Sequence, residues 1–457
     1  MLLAAILPMC LPPAPASAGN LVAMCHFNKN YKDGSRPQGD DIIFVGGEFY
    51  VSTDYGVAAT KHGTQDGGVF DLHPVHMLKP TAGPWHKALA LGGASAYQHP
   101  LDMTPVETDP KTGQSIFLMT SADGGITKGS IYKTIVHPNV PSYTLLVHNF
   151  ADTPSDPGFP YGPLVAGPVV PILGTELFQW TYFGLTSSNG SGNAQNSFCG
   201  AVYGITSPPE PNLLQDVPWP STVMHSFTNF NGADGCGPTS LVRDSSGTLF
   251  GTTLYGGANG QGTVFSIAPG SGGSQPVFTT LYSFQVNRAD GSFDGTNPTR
   301  GMIIGADGNL YGTTQFGGQY GLGTVFEVVR PAAGQTTWNE ITLHEFSGSQ
   351  PGSSTPPDGA YPQTGVAQDM NGTLYGVTYQ GGGTVNPFGL TYVGAGAIFS
   401  LNPATGTESI LYKFAGPDGA YPLTKPVVFN TSAGAQLMGT TNWDSVTAGG
   451  LAYMYSP

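Results

Sequence analysis

Residues 247–257 read GTLFGTTLYGG, and the string returns as GNLYGTTQFGG at 308–318, GTLYGVTYQGG at 372–382 and AQLMGTTNW at 435–443. Each is followed by a second apolar string: GTVFSI, GTVFEV, GAIFSL and GLAYMY. Toward the N-terminus weaker copies appear: EFYVSTDYG with Val51 in the glycine place, SIFLMTSADGG with Leu118, and TYFGLTSSNG with Gly184. Their second strings are GGVFDL, GSIYKT and CGAVYG. From Val51 to Leu118, Gly184, Gly251, Gly312, Gly376 and Gly439 the steps are 67, 66, 67, 61, 64 and 63 residues. A period that regular marks a repeat architecture, in which each unit buries its apolar face against the next.

Within the copy at Gly251 four short strands are expected: Thr239 to Arg243, Thr248 to Thr253, Thr263 to Ile267 and Thr279 to Phe284. Strings such as TVFSI and LYSF alternate apolar and polar residues as half-buried strands do, and Asp-Gly, Asn-Gly and Gly-Gly pairs supply the turns. Helical periodicity is absent over any useful length. Four antiparallel strands repeated seven times predict an all-β chain, a seven-bladed β-propeller with four-stranded blades. An elongated solenoid is the alternative. The last copy stops after its third strand, Leu451 to Tyr455, whereas Leu21 to Phe27, LVAMCHF, resembles an outer strand and lacks a copy of its own. The N-terminal segment is therefore expected to complete the last blade, closing the ring and removing two exposed strand edges.

The units, with their (D)G..P, G.LYGTT..GG and G.GTVF elements, resemble the GloVer tandem repeat of exported bacterial proteins. The match is close from about Ser221 to Pro457 and fades in the first three copies. The resemblance implies an extracellular protein, often with a separable sorting tail, and no general enzymatic role. The chain reaches Pro457 without the apolar segment and basic cluster of such a tail, so release to the medium or periplasm is expected rather than covalent anchoring.

Residues 1–18, MLLAAILPMCLPPAPASA, join an apolar run to the small-residue pattern Ala16-Ser17-Ala18 and read as a signal peptide, leaving 19–457 as one propeller domain. The usual basic start is missing, so either Met1 lies inside a longer signal or the segment is a poorly used one. No later stretch reaches the ~20 consecutive apolar residues of a membrane span. Gly 67 and Pro 39 are together roughly 23% of the 457 residues, just under the low-complexity range. With 39% hydrophobic residues and only 10% charged, the chain has ample material for a core. A net charge of -14 argues against a nucleic-acid partner, since phosphate binding needs clustered cations. A monomer is expected.

Loops joining second to third strands, and outer strands to the next blade, share one face. The residue after each Gly-Thr-Thr-x there is Tyr55, Ala122, Ser188, Tyr255, Phe316, Gln380 and Trp443, with Tyr379 beside Gln380. Tyr55, Tyr255, Phe316, Tyr379 and Trp443 are candidate ligand contacts, because ring faces stack on sugars; the bland reading is packing on the Gly-Gly turn. Trp443-Asp444 departs most from the repeat. The series Asp33-Gly34, Asp234-Gly235, Asp294-Gly295, Asp358-Gly359 and Asp418-Gly419 reads as turn capping, with calcium as the functional alternative. Five of ten histidines (His62, His73, His76, His86 and His99) cluster early, yet no Cys or repeated carboxylate completes a zinc set, so no metal and no cofactor are expected. His62, Lys61, Asp54 and Glu48, around the charged loop Ala58 to Gly67, are the one place where acid-base chemistry has its raw material. G-x-S-x-G and G-K-[ST] motifs are absent. Cys10 leaves with the leader; of Cys25, Cys199 and Cys236, the last two fall on one face of neighbouring blades and are expected to pair.

Together these features point to an exported binding or surface-interaction module for a polysaccharide or envelope component. A carbohydrate-active enzyme, a lyase or glycoside hydrolase, is the alternative, and a structural spacer a third reading. The mouth of the channel discriminates: convergent titratable groups favour an enzyme, exposed aromatics binding, small uncharged residues a spacer.

Overall fold

The computed structural model describes residues 20–28, 35–45, 48–57, 66–72, 85–90, 98–108, 114–123, 128–136, 143–191, 197–210, 217–270, 274–348, 358–383, 394–431, 434–443 and 448–456; for 23–101 the description extends to the backbone alone. The expected leader, residues 1–18, lies outside them.

The described chain is all-β apart from one short 3₁₀ turn, Ser197–Cys199. In the sheet around Gly251 the strands are Cys236–Arg243, Leu249–Tyr255, Thr263–Ala268 and Val277–Ser283, antiparallel neighbours from inner to outer edge. These overlap all four segments expected from the sequence; the inner strand begins three residues earlier, and the other ends shift by at most two residues. Gly251 is required by close packing. A Cβ there would strike the ring of Phe265, its cross-strand partner. The same fit recurs between Gly312 and Phe326 and between Gly376 and Phe399, which is why the sequence period is legible at these positions.

Four-stranded sheets of the same order surround Val51, Leu118 and Gly184, and those around Gly312 and Gly439 carry a fifth short strand. The unit at Gly376 differs. Its second strand is interrupted at Tyr379, whose N–H donates to the carbonyl of Tyr361, so Gly359–Ala360 pairs with Gln380–Gly381 in a separate two-stranded sheet. Only Ala367–Gln368, Leu374–Thr378, Ala397–Asn402 and Thr407–Lys413 remain in its four-stranded sheet. The expectation of seven like blades is thereby corrected: six sheets are undivided and the unit at Gly376 is split.

Neighbouring sheets meet through their inner strands. Ser35–Val45 packs against Gln98–Thr108 and, in the last sheet, against inner strand Val427–Thr431 and second strand Gly434–Trp443; Gln98–Thr108 in turn meets Pro160–Pro171, which meets Cys236–Arg243. Arg300 bridges to Thr364, and Ala367–Gln368 contacts Val427–Thr431, so the arrangement is a β-propeller. Asn20–Asn28 pairs antiparallel with Ala448–Ser456, Leu21 opposite Tyr455 and Cys25 opposite Ala452, which places the N-terminal strand at the outer edge of the last sheet.

The core lies between sheets. Val202 and Phe227 of one sheet pack with Leu241, Leu249 and Phe265 of the next. Buried outer-edge phenylalanines meet the third-strand ring of the following sheet edge to face: Phe150 with Tyr203, Phe227 with Phe265, Phe284 with Phe326, Phe346 with Phe399 and Phe414 with Tyr453. Each of these pairs is worth about 0.5–1.5 kcal/mol beyond its buried area. Cys199 and Cys236, both fully buried, form a disulfide with Cα atoms 4.4 Å apart, joining the Gly184 and Gly251 sheets.

Candidate ligand-binding face

Backbone hydrogen bonds bring two kinds of loop together on one face. The loop between second and third strands meets the turn that enters the inner strand: Gly257 N–H donates to Gly232 O, Gly318 to Asp294 O and Gly382 to Asp358 O, each at 2.8 Å. The second threonine of each Gly-Thr-Thr element fixes the two residues after it. Its buried hydroxyl donates to the carbonyl two residues on, Thr186 to Ser188 (2.7 Å), Thr253 to Tyr255 (2.9 Å), Thr314 to Phe316 (2.8 Å), Thr378 to Gln380 (2.9 Å) and Thr441 to Trp443 (3.1 Å). The side chain after the element is thus held at a repeated place.

Two expected contact residues stand out from the surface. Tyr255 is 41% exposed and meets the 45% exposed ring of Phe230 at 5.6 Å. Phe316, also 41% exposed, meets Tyr361 edge-on at 5.7 Å. Tyr320 and Phe293, both exposed, lie in the loops of the Phe316 unit. By contrast Tyr379 is half-buried and stacks on Tyr421 at 4.9 Å, and Trp443 packs against the same apolar cluster. Of the four whose side chains are described, Tyr255 and Phe316 thus stand exposed, whereas Tyr379 and Trp443 pack against the apolar cluster. Tyr55 lies in a strand opposite Ser35, its side chain outside the described residues. Asp444, His62, Lys61, His73 and His76 also lie outside them, as do the side chains of Asp54, Glu48, His86, His99 and Cys25.

Sequence reasoning missed Phe230, Tyr361 and Tyr421. The last two, with Phe159, hold a left-handed backbone (φ +53°, +59° and +59°) directly before Pro362, Pro422 and Pro160. Asn297 before Pro298 does the same at +57°. A bulky residue there costs on the order of 1–2 kcal/mol. The available signal was the repeated string DGTNP, DGAYP, DGAYP at 294–298, 358–362 and 418–422.

The Asp-Gly carboxylates are held by protein donors. Asp294 accepts from the N–H of Gly295 and Gln285 and from the Tyr282 hydroxyl, and Asp358 from the N–H of Gly359 and Ser347. Asp418 accepts from Ala415 N–H and the Tyr412 hydroxyl. The turn-capping function is thus present in these copies; Asp33 lies outside the described residues.

A cavity of about 520 Å³ lies where inner strands converge, lined by segments such as Met103–Pro105, Gly162–Leu164 and Thr239–Val242, with Gln368 and Lys425. Among the described residues Lys425 is the only charged side chain on this lining. Two carboxyls are strongly perturbed elsewhere. Burial first, then the charge of Asp294, pushes Glu340 up to about 8, and burial with the charge of Asp358 pushes Glu408 up to about 7. Both sit on outer strands, away from the channel.

The model of the Gloeobacter/Verrucomicrobia repeat matches residues 181–453. No curated protein matches the sequence significantly. Among solved structures the chain is similar to a lectin from Burkholderia pseudomallei, at 12% identity and a TM-score of 0.45 over 94% of this chain and 96% of that one. It is also similar to an α-L-arabinofuranosidase of Fusarium graminearum, at 12% identity and a TM-score of 0.39 over 81% and 95%. A puromycin-hydrolyzing peptidase of Mycobacterium tuberculosis matches at 11% identity and a TM-score of 0.38, over 89% of this chain but only 58% of the peptidase. No helix among the described residues is long and apolar enough to cross a membrane.

Proposed function

We propose, from the premise that this chain belongs to the Gloeobacter/Verrucomicrobia repeat family, that it is an exported β-propeller that binds a glycan or similar envelope component on its loop face. The observation that carries this reading is a pair of aromatic couples, exposed Phe230 with exposed Tyr255 and exposed Phe316 with half-buried Tyr361, held at one side of the propeller by repeated threonine and turn hydrogen bonds. Aromatic rings offer large, rigid, amphipathic contact area at low entropic cost, which suits the C–H faces of sugar rings. Export is supported by the 1–18 leader reading and by the Cys199–Cys236 bridge, since disulfides persist in oxidising compartments.

Binding without catalysis is favoured by the lining of the central cavity. Among the described residues, threonines, glycines, prolines and apolar side chains surround it with a single charged group, and acid-base chemistry needs titratable groups within hydrogen-bond reach of a substrate. Glu340, the most perturbed described carboxyl, has a side chain with 0% exposure, sealed from any substrate. The test is a broad array of neutral and acidic polysaccharides probed with the mature chain, followed by product analysis on each hit. Retention without new reducing ends or unsaturated sugars supports the reading. Product release assigns an enzyme instead, and failure to retain any glycan removes the proposal.

A further inference from the structure

Five outer strands place a ring two residues before their buried phenylalanine, and that ring meets the aspartate of the following turn: His148 with Asp156 (2.8 Å), His225 with Asp234 (3.0 Å), Tyr282 with Asp294 (2.6 Å), His344 with Asp358 (3.1 Å) and Tyr412 with Asp418. The next outer strand adds a third residue, six places before its own phenylalanine. That residue is Ser221 on Asp156, Phe278 stacked on His225, and Leu21 in the cluster of Tyr412. In the two remaining units it is a second carboxylate, Glu340 or Glu408.

Two carboxylates side by side need a cation, because the low-dielectric surroundings magnify their repulsion. At Glu340 the cation is Arg288, whose guanidinium contacts both Glu340 and Asp294 and donates to Thr342 Oγ1 at 2.8 Å. At Glu408 the sequence position matching Arg288 is Gln350, residues 347–357 contain neither Lys nor Arg, and the charge of Lys413 acts on Glu408 more weakly than Asp358 or His344 does. Here the ring is an imidazole instead of a phenol. One ligand atom from each of His344, Asp358 and Glu408 falls within 4.8 Å of the others, and Oε1 of Glu408 is buried without a hydrogen-bond partner among the described residues.

We propose that His344, Asp358 and Glu408 bind a divalent transition metal, with zinc the best match, in the place that the Arg288 guanidinium takes in the preceding unit. One imidazole nitrogen with two carboxylate oxygens is a zinc-type donor set, whereas calcium takes 6–8 oxygens. The supporting contacts are those a metal site requires. The N–H groups of Gly359 and Ser347 fix the Asp358 carboxylate at 2.6 and 3.0 Å, and Phe346 holds the His344 ring edge-on at 4.9 Å. The ion replaces the direct His344–Asp358 contact.

The experiment is calorimetric titration of the chelator-treated full chain with zinc chloride, beside variants that borrow residues from sister units. Expected is a site of micromolar affinity that weakens at least tenfold in His344→Tyr and in Glu408→Gln, and is unchanged in His225→Tyr. Binding no tighter than millimolar, or equal in all four proteins, overturns the assignment. Should Glu408→Gln fail to fold, cobalt(II) replaces zinc as probe: a visible d–d band in the parent chain that persists unaltered in His344→Tyr also overturns it.

Discussion

Gly262 stands so close to Pro298 of the next sheet that a Cβ built on it would lie 2.6 Å from the proline Cδ. The contact recurs as Gly200 on Pro238 (2.8 Å), Gly323 on Pro362 (2.7 Å) and Gly396 on Pro422 (2.6 Å). In each case the glycine carbonyl accepts from the buried outer-strand phenylalanine, Phe284 to Gly262 at 3.0 Å for one, so a single glycine joins its own sheet's edge to the next sheet's inner strand. Gly262→Ala must therefore pay for a side chain at φ +98° and for overpacking against both the proline ring and the still nearer Thr253 carbonyl oxygen. Together these cost roughly 2–4 kcal/mol. Gly260→Ala, at φ +75° with nothing within 4 Å, carries the conformational cost alone, about 1 kcal/mol. Urea midpoints of the two variants separate the two costs, and equal losses refute the inter-sheet contact.

Tyr453 fills the place held by Phe265, Phe326 and Phe399 in other units, against Gly439. It is fully buried and its hydroxyl lacks a hydrogen-bond partner among the described residues; burial drives its phenol far above the ordinary range. Removing an unsatisfied buried hydroxyl recovers about 1–3 kcal/mol of desolvation. Tyr453→Phe, and likewise Tyr203→Phe against Gly184, should raise the melting temperature. A loss in both would mean that the hydroxyls are satisfied in solution.

The Asp294–Glu340–Arg288 cluster holds two carboxylates and one guanidinium, one negative charge in excess. Burial raises both carboxyls, Glu340 up to about 8. A carboxyl raised above its unfolded value of ~4.5 leaves the folded state holding more protons across that window, so stability falls as pH rises from about 4.5 to about 8. The slope is at most about 1.4 kcal/mol per pH unit. Glu340→Gln should flatten the decline, read as melting temperature against pH from 5 to 9. A parent protein whose stability rises over this range contradicts the assignment.

Legibility followed distance along the chain. The repeat could be read because Gly251, Gly312 and Gly376 each meet a ring in the very next strand, so the same short string is demanded every time. The pairing of Cys199 with Cys236 rested on that period, since it sets both at one edge of adjoining units. By contrast Glu340 reaches Arg288 from the outer strand of the next sheet, 52 residues along the chain, and no local spacing announces that meeting. Trp443, the most distinctive residue by composition, packs into the core cluster of the last two units, whereas Tyr361 was overlooked because residue type does not foretell a left-handed tyrosine before proline.

That left-handed tyrosine provides the sharpest test of the binding face. Tyr361 holds φ +53° while its ring braces Phe316 at 5.7 Å. Tyr361→Gly relieves about 1–2 kcal/mol of backbone strain, offset by about 0.5–1 kcal/mol of glycine entropy and about 0.5–1.5 kcal/mol of ring contact. Net stability should therefore move by under about 1 kcal/mol. If the Phe316–Tyr361 couple is a sugar platform, affinity for the glycan retained by the parent chain should drop at least tenfold in this variant and in Phe316→Ala, with Tyr361→Phe close to the parent. A ring retained only for packing gives the opposite pattern: stability lost by more than about 2 kcal/mol in Tyr361→Gly and glycan affinity unaltered.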